Sequence, residues 1–255
     1  CTEKQDSPRR ARSFGRGNKL NMDDAYYAEA WERYERLRAE RPDAFHNSDP
    51  RGIVILTDRD EVRAAEKTIA RRLERDAFPA EWSRAGLFYE DPWIYLTRDV
   101  VRFPSGNFGT YHHIIMRGGQ DGVVILPVID DRILLIRHFR NGRRNWSLEV
   151  PRGAPARGMS IEGNARQEIL EEVQGEIRRL EYLGKMENNN GMATEVMHVY
   201  FAELSQTGSA NLSEGIEDLR RVTTADCAEM IRRSDITDSH TIVAYTLAQM
   251  NNLLP

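Results

Sequence analysis

Three glutamates in the middle of the chain, Glu168, Glu171 and Glu172, have the spacing of one helix face. Positions i, i+3 and i+4 of an α-helix lie on the same side, so these carboxylates would converge on one patch. Mg²⁺ and Mn²⁺ prefer oxygen ligands and could hold both the carboxylates and a phosphate oxygen. The spacing therefore indicates a divalent metal site, although most paired glutamates simply form the solvated face of a surface helix.

The sequence around these glutamates resembles the Nudix box, whose signature is G-x5-E-x7-R-E-U-x-E-E-x-G-U, where U is a bulky aliphatic residue. Aligned without gaps, the first glycine and the E-U-x-E-E run correspond to Gly153, Glu168, Ile169, Glu171 and Glu172. Three positions depart: Met159 replaces the first glutamate, Gln167 the arginine and Gln174 the last glycine. The retained glutamates are those that bind metal in the family, so the resemblance implies that they hold Mg²⁺ or Mn²⁺ here.

The segments before the box resemble the ADP-ribose pyrophosphatase branch of the family. Apolar runs at 122–129 and 132–140 predict a hairpin, and residues 145–153 match the branch's W-x-L-E-x-P-A-G segment. Arg140 ends the second run where relatives have Q-Y-R, and we expect it to clamp phosphate or a terminal ribose. Arg152 replaces the alanine of that segment. Its carbonyl would be a metal ligand, and its side chain would add positive charge beside the phosphates.

Further glutamates fall on functional positions of the branch. Glu195 precedes a strand and aligns with a glutamate that contacts substrate or metal in relatives. Relatives also supply, from a loop near residues 214–222, a glutamate that positions water or takes its proton. Glu217 fits the strand register better and is preferred, while Glu214 has the more loop-like surroundings. We expect Glu172 to face solvent and metal, so that Glu172→Gln abolishes turnover without disturbing the fold.

The resemblance implies an α/β fold, the Nudix α/β/α sandwich with a mixed sheet, preceded by an N-terminal α/β extension. It implies metal-dependent hydrolysis of the pyrophosphate bond of a nucleoside diphosphate sugar such as ADP-ribose, which yields a nucleoside monophosphate and a sugar phosphate. It also implies a homodimer, because N-terminal strands of this branch commonly swap between two copies and help to build the substrate pocket. Aromatic residues there could stack on a base or fill the sheet core, namely Trp93, Tyr95, Phe103 and Tyr111.

Composition excludes several other classes of protein. The chain has 255 residues and a formal net charge of −4, which argues against general binding to nucleic acid or to a membrane surface. Its two cysteines are too few for a disulfide framework or a Cys-ligated zinc site. No apolar run approaches the roughly 18–20 residues of a membrane span. We therefore expect a cytoplasmic protein that binds neither membrane nor nucleic acid.

The order of patterns predicts three regions. Residues 1–21 carry six Lys and Arg against two Asp and Glu and are expected to be a disordered basic tail. Residues 22–90 would form a mainly helical extension, whose first helix has an apolar stripe: Tyr26, Ala30, Trp31, Tyr34 and Leu37. Residues 91–255 would form the Nudix domain.

Within these regions the patterns predict individual helices and strands. The extension would contain helices at 25–41 and 60–76 and a strand at 52–57. The third region, residues 91–255, would open with strands at 93–103 and 110–116, joined by a Pro-Ser-Gly turn. We expect these two strands to begin the Nudix sheet. Helical periodicity returns near the C-terminus, at 225–233 and 239–250.

The three departures from the box leave a second interpretation open. Changes at Met159, Gln167 and Gln174 could relax the helix and displace its carboxylates, and small displacements are costly at a metal site. The protein would then be a catalytically weak or inactive Nudix-fold protein that binds or senses a nucleotide sugar. The intact set of three glutamates favours the enzyme, because a pure binder has no physical need to keep them.

Overall fold

The computed structural model describes residues 24–118, 121–154 and 158–255. Those ranges contain five α-helices and eleven strands, and the strands form two sheets. The basic tail predicted at residues 1–21 lies outside the described residues. Among the helices that are described, none is both long enough and apolar enough to cross a membrane.

The first sheet and two helices come from the N-terminal part of the chain. Helix α1 is Asp24–Glu40, α2 is Arg59–Arg75, and the strands are β1 (Val54–Ile55), β2 (Gly86–Glu90), β3 (Ile94–Arg102) and β4 (Phe108–Met116). All pairs are antiparallel, with β1 and β2 along one edge of β3 and β4 along the other. Asp58 caps α2, because its side chain accepts hydrogen bonds from two backbone N–H groups of the first turn.

Both helices pack on this sheet through apolar faces. The stripe predicted on α1 buries four side chains: Ala30, Trp31, Tyr34 and Leu37. Val62 and Ile69 of α2 are buried with them, in a core that also contains Leu87 of β2 and Ile115 of β4. Residues 24–118 therefore have a hydrophobic core of their own.

The two strands expected to begin the Nudix sheet, β3 and β4, belong instead to the N-terminal sheet. They pair along their whole length, from Ile94 opposite Met116 to Arg102 opposite Phe108. The N-terminal unit is thus a four-stranded sheet with two helices rather than mainly helical, and it extends to about residue 118 rather than 90. Alternating hydrophobicity indicates that a segment is a strand but does not indicate which sheet the strand joins.

The second sheet has seven strands in the described residues. They are β5 (Gly122–Ile129), β6 (Arg132–Arg140), β7 (Asn145–Glu149), β8 (Arg152–Gly153), β9 (Glu176–Glu187), β10 (Val196–Gln206) and β11 (Ile216–Val222). The main order is β11-β6-β5-β10-β9, with β7 beside β6 and β8 beside β5. Strands β5 and β10 are parallel and the other pairs are antiparallel, so the sheet is mixed, as predicted.

Helices cover both faces of this second sheet. Helix α3 (Ile161–Val173) lies on one face, and α4 (Thr224–Arg232) and α5 (Ser239–Met250) lie on the other. Strand β5, which is buried along its whole length, separates them. Its Val123 and Ile125 pack with α3, whereas Val124 and Leu126 pack with α4 and α5. This arrangement is the predicted α/β/α sandwich.

Candidate metal-binding site

Helix α3 is oriented by its apolar face. It buries three aliphatic side chains against the sheet: Ala165, Ile169 and Val173. Ser160 caps its start by accepting a hydrogen bond from the backbone N–H of Gly163 at 3.0 Å. Because the buried residues fix the rotation of the helix, Glu168 and Glu172 are directed toward β8.

Glu172 is almost completely buried, with 2% of its surface exposed. Its Oε2 accepts a hydrogen bond from the backbone N–H of Arg152 at 3.2 Å. Burial, and then the negative charge of Glu168, raises the pKa of Glu172 to about 8. The expectation that Glu172 faces solvent was therefore wrong: the side chain lies under the surface and holds a proton at neutral pH when no cation compensates it.

Glu168 lies against the backbone of Gly153, the first glycine of the box. A Cβ at residue 153 would collide with the carboxylate of Glu168, so any other residue there would displace that carboxylate. Burial, and then the charges of Glu171 and Glu214, raises the pKa of Glu168 to about 7. The box glycine and the first glutamate of the helix thus form one packed unit.

Glu171 is the exposed member of the three glutamates. The side-chain amide of Gln167, one turn earlier, donates a hydrogen bond to its Oε1. Gln167 occupies the place of the box arginine, so here a neutral donor holds the third carboxylate where the family has a charged side chain. Compared with the arginine of the box, Gln167 still donates a hydrogen bond to Glu171 but carries no positive charge.

The α3 carboxylates fit a divalent cation by their donor chemistry. They are hard oxygen ligands, and the burial and mutual repulsion that disfavour ionisation of Glu168 and Glu172 would be offset by a cation. Within the described ranges, no group of three or more His, Cys, Asp or Glu side chains is already arranged as a metal-binding cluster. Metal binding would therefore require the carboxylates to turn toward a common point.

Of the two glutamates predicted as candidate bases, Glu214 is the one whose negative charge affects the pKa values of the α3 carboxylates. Its charge contributes to the raised pKa of both Glu168 and Glu172. Glu214 lies in a short helical turn before β11. The amide of Asn211 donates to Glu214 Oε1 at 3.1 Å and to the backbone carbonyl of Glu171 at 3.0 Å, which ties this turn to α3.

Glu217, which the strand register favoured, has a different environment. It lies on β11 and forms an ion pair with Arg137 of β6. Arg137 in turn lies over the ring of Trp146, 4.4 Å from the ring centroid. These contacts occupy Glu217 in a sheet-surface ion pair, so the geometry favours Glu214 and reverses the order of preference drawn from the sequence.

A buried carboxylate that the sequence did not single out, Glu149, lies beside the site at the end of β7. It is 1% exposed and is surrounded by His138 Nδ1 at 3.3 Å, Arg152 Nη2 at 3.8 Å and Arg140 Nη2 in direct contact. Burial acts to raise the pKa of Glu149, but the close contacts with His138 and Arg140 and the charges of both arginines outweigh it and lower the pKa. Its apolar neighbours in the sequence were the signal that could have revealed it.

The two arginines predicted to bind substrate are held by acidic side chains. Arg140 pairs with Glu149, and its charge also acts to lower the pKa of Glu172. The guanidinium of Arg152 lies between Glu149 and Asp238, 3.7 Å from Asp238 Oδ1. Their side chains keep 26% and 24% exposure respectively, so both border the site but neither is free of protein partners.

Glu195 lies on a separate segment, immediately before β10. The side-chain amide of Asn188 donates a hydrogen bond to its carboxylate. The structure thus brings Glu168, Glu172 and Glu214 together on one side, and holds Glu195 from its own loop.

Comparison with known proteins supports the resemblance drawn from the sequence. Residues 119–241 match the model of the NUDIX domain family. A methanol dehydrogenase activator from Bacillus methanolicus is 26% identical over 164 residues, which cover 63% of this chain and 88% of the relative. An ADP-ribose pyrophosphatase from Bacillus subtilis (strain 168) is 25% identical over 166 residues, with the same two coverages. A GDP-mannose pyrophosphatase from Escherichia coli O1:K1 is 24% identical over 168 residues, which cover 62% of this chain and 88% of the relative.

A solved structure of similar fold is described as the crystal structure of an ADP compounds hydrolase. It superposes with a TM-score of 0.56 and 22% sequence identity, covering 66% of this chain and 90% of that chain. Because the sequence identity is only 22%, this similarity is evidence for a shared fold alone. It confirms the predicted fold class.

Proposed function

We propose that this chain, in which residues 119–241 match the NUDIX domain family, hydrolyses the pyrophosphate bond of a nucleoside diphosphate sugar. ADP-ribose is the first candidate substrate, Mg²⁺ or Mn²⁺ the cofactor, and a nucleoside monophosphate and a sugar phosphate the products. The observation that carries the proposal is the pair Glu168 and Glu172, which α3 directs toward β8 and whose pKa values are raised by burial and then by nearby negative charge. Relatives named for ADP-ribose and GDP-mannose support the substrate class.

The chemistry follows from charge. A pyrophosphate resists hydrolysis because its oxygens repel a nucleophile and its leaving group is anionic. Glu168, Glu171 and Glu172, with the backbone carbonyl of Arg152, would hold the divalent cation. When bound, the cation offsets the charge of the phosphate oxygens and makes nearby water more acidic. Because Glu168 and Glu172 must lose their protons to bind it, the affinity for the cation should rise as the pH approaches 8.

We assign the remaining steps to side chains around α3. Glu214, held by Asn211, would orient the attacking water or accept its proton, with Glu217 as the second choice. In-line attack on one phosphorus would then split the substrate, with catalysis that depends mainly on positioning and electrostatics. Arg140 and Arg152 would donate N–H groups to phosphate or ribose from their exposed edges. Glu195 would contact the substrate from its own loop.

We also propose a homodimer that involves the N-terminal sheet. Three of its aromatic side chains are unusually exposed for large apolar groups: Trp93 at 74%, Tyr89 at 49% and Tyr111 at 39%. A second copy would cover such surface. Light scattering coupled to size-exclusion chromatography should give twice the mass of one chain, whereas a single-chain mass at micromolar concentration would contradict the dimer.

A protein that binds a nucleotide sugar without cleaving it is the second candidate. Gln174 favours it, because this residue adopts the left-handed conformation, with φ 48°, where the box has glycine. Such a conformation strains any residue with a Cβ. A helix end under strain could place the carboxylates well enough to bind ligand but too loosely for turnover.

Phosphate release from a panel of nucleoside diphosphate sugars, with a coupled phosphatase and Mg²⁺ or Mn²⁺, separates the two candidates. Glu172→Gln is the test variant. Glu162→Gln is the matched control, because Glu162 is exposed on the same helix and pairs only one turn away with Arg166 at 2.8 Å. Metal-dependent release that is lost in Glu172→Gln and kept in Glu162→Gln would support the hydrolase. If no member of the panel released phosphate but the ligands raised the melting temperature of the protein, the result would support the binding protein.

A further inference from the structure

A chain of polar side chains begins at α5, away from the α3 carboxylates. Asp238 caps this helix by accepting hydrogen bonds from the backbone N–H and the hydroxyl of Thr241, at 2.9 and 2.8 Å. The same hydroxyl accepts from the backbone N–H of Val150 at 3.0 Å, which fixes the helix start against the segment before the box. The start of α5 is therefore rigidly joined to the site.

His240 continues this chain from the first turn of α5. Its ring is 8% exposed. Nδ1 lies 3.3 Å from Asp238 Oδ1, and Nε2 lies 2.6 Å from Asn188 Oδ1. The other end of the Asn188 amide donates to Glu195. An almost buried histidine thus connects a helix cap with the exposed loop that carries Glu195.

The orientation of the Asn188 amide follows from its partners. An ionised carboxylate can only accept hydrogen bonds, so the amide nitrogen must face Glu195 and the amide oxygen must face His240. Nε2 of His240 therefore carries the proton of that hydrogen bond. The Asn188 amide cannot rotate without losing both of its hydrogen bonds.

The other end of the chain reaches the α3 carboxylates. The guanidinium of Arg152 lies 3.7 Å from Asp238 Oδ1, and its backbone N–H donates to Glu172. Burial acts to raise the pKa of Asp238, but hydrogen bonds from His240 and Thr241, together with Arg152, hold that pKa well below its usual range. Asp238 therefore stays ionised. It is connected to Glu172 through Arg152, and to Glu195 through His240 and Asn188.

We propose that His240 and Asn188 are positioning residues that hold Glu195 in place for substrate. The inference rests on the proposed function, in which Glu195 contacts the substrate. An isolated glutamate on an exposed loop samples several rotamers, and ordering it during the reaction lowers the rate. Side chains that orient metal ligands typically cost about 10- to 100-fold in activity when they are removed, and we expect an effect of the same size for the side chains that orient Glu195.

The loop offers a matched control two residues away. Asn190 is exposed like Asn188, but its amide donates to Glu187 Oε2 at 2.9 Å and not to Glu195. Removing the Asn190 amide costs the loop one side-chain hydrogen bond, whereas removing the Asn188 amide costs two, one to Glu195 and one from His240. Only the loss at Asn188 should affect turnover if the contact with Glu195 is what matters.

The test is a double-mutant cycle in the full-length protein, with kcat and KM measured on ADP-ribose and Mg²⁺. Asn188→Ala and His240→Leu should each lower kcat/KM by about 10- to 100-fold in the parent. In the Glu195→Gln background each should cause almost no further loss, because the residue they position is already gone. His240→Gln, which retains an N–H donor for Asn188, should recover part of the loss, and Asn190→Ala should match the parent.

Additive losses in the Glu195→Gln background, or equal effects of Asn188→Ala and Asn190→Ala, would overturn the positioning role. Because Asn188 is exposed, the Asn188→Ala arm decides the question even if His240→Leu does not fold. A parent protein that turns over ADP-ribose but shows additive losses would refute this inference alone. A parent that neither cleaves ADP-ribose nor binds its α,β-methylene analogue would refute both the inference and the proposed function.

Discussion

Replacing Glu172 by glutamine should make the metal-free protein more stable, most strongly at alkaline pH. A glutamate in the unfolded chain has an ordinary pKa of 4.5, whereas burial raises the pKa of folded Glu172 to about 8. Between these values the unfolded state binds fewer protons than the folded state, so the free energy of unfolding falls as the pH rises. At pH 7 the gap is about 2.5 pH units, each worth about 1.4 kcal/mol, which gives a cost of about 3 kcal/mol. Glutamine keeps an oxygen to accept from the Arg152 N–H and removes this cost.

Urea unfolding in EDTA at pH 5 and pH 8 measures this effect. At pH 5 the two proteins should differ by less than about 1 kcal/mol, and at pH 8 the Glu172→Gln protein should be more stable by at least about 3 kcal/mol. Glu162→Gln, an exposed change on the same helix, should show no such pH-dependent gain. The claim that burial disfavours the ionised form of this carboxylate would be refuted by either of two results. Glu172→Gln could be less stable than the parent at pH 8, or its difference in stability from the parent could be the same at both pH values.

Three other outcomes follow from the same geometry. Gly153→Ala should change the melting temperature little but lower turnover at least about tenfold, because the added Cβ displaces the Glu168 carboxylate; a fully active variant in steady-state assays would contradict this. Mg²⁺ should raise the melting temperature more at pH 8 than at pH 6, because binding requires ionised Glu168 and Glu172; equal shifts would count against those ligands. Gln174→Gly should raise the free energy of unfolding by about 0.5–1 kcal/mol, because glycine tolerates a φ of 48°. Urea unfolding measures this change. An unchanged midpoint would mean that the hydrogen bond from the Ser209 N–H to the Gln174 side chain, which glycine removes, offsets the strain.

Elements with a local signal could be predicted from the sequence. The β5–β6 hairpin turns at Asp130 and Asp131, whose positive φ values of 49° and 56° suit a two-residue turn that aspartate tolerates. The apolar stripe of α1 predicted its four buried residues, whereas Tyr26, the fifth member of the stripe, is half-buried. The sheet to which β3 and β4 belong could not be predicted, because strand pairing depends on contacts between distant segments that alternation does not encode.

The same distinction applies to the candidate site. The spacing of Glu168, Glu171 and Glu172 is a local property, and it predicted the helix that carries them, although Glu172 is buried and Glu171 is exposed. The pairing of Arg140 with Glu149 is not local, because it depends on the register that sets Arg140 opposite Asn145 and Glu149 opposite Ile136. The depth of Glu172 likewise depends on β8 packing over the helix. Which charged groups are buried and paired is therefore decided by tertiary contacts.

Identification of the products tests the central claim most directly. Phosphorus NMR of ADP-ribose incubated with the parent protein and Mg²⁺ should show the diphosphate signals replaced by two phosphomonoester signals, those of AMP and ribose 5-phosphate. The spectrum should stay unchanged with Glu172→Gln and should match the parent with Glu162→Gln. Cleavage by Glu172→Gln at the parent rate, or an unchanged spectrum with the parent protein for ADP-ribose and every other nucleoside diphosphate sugar of the panel, would contradict the account.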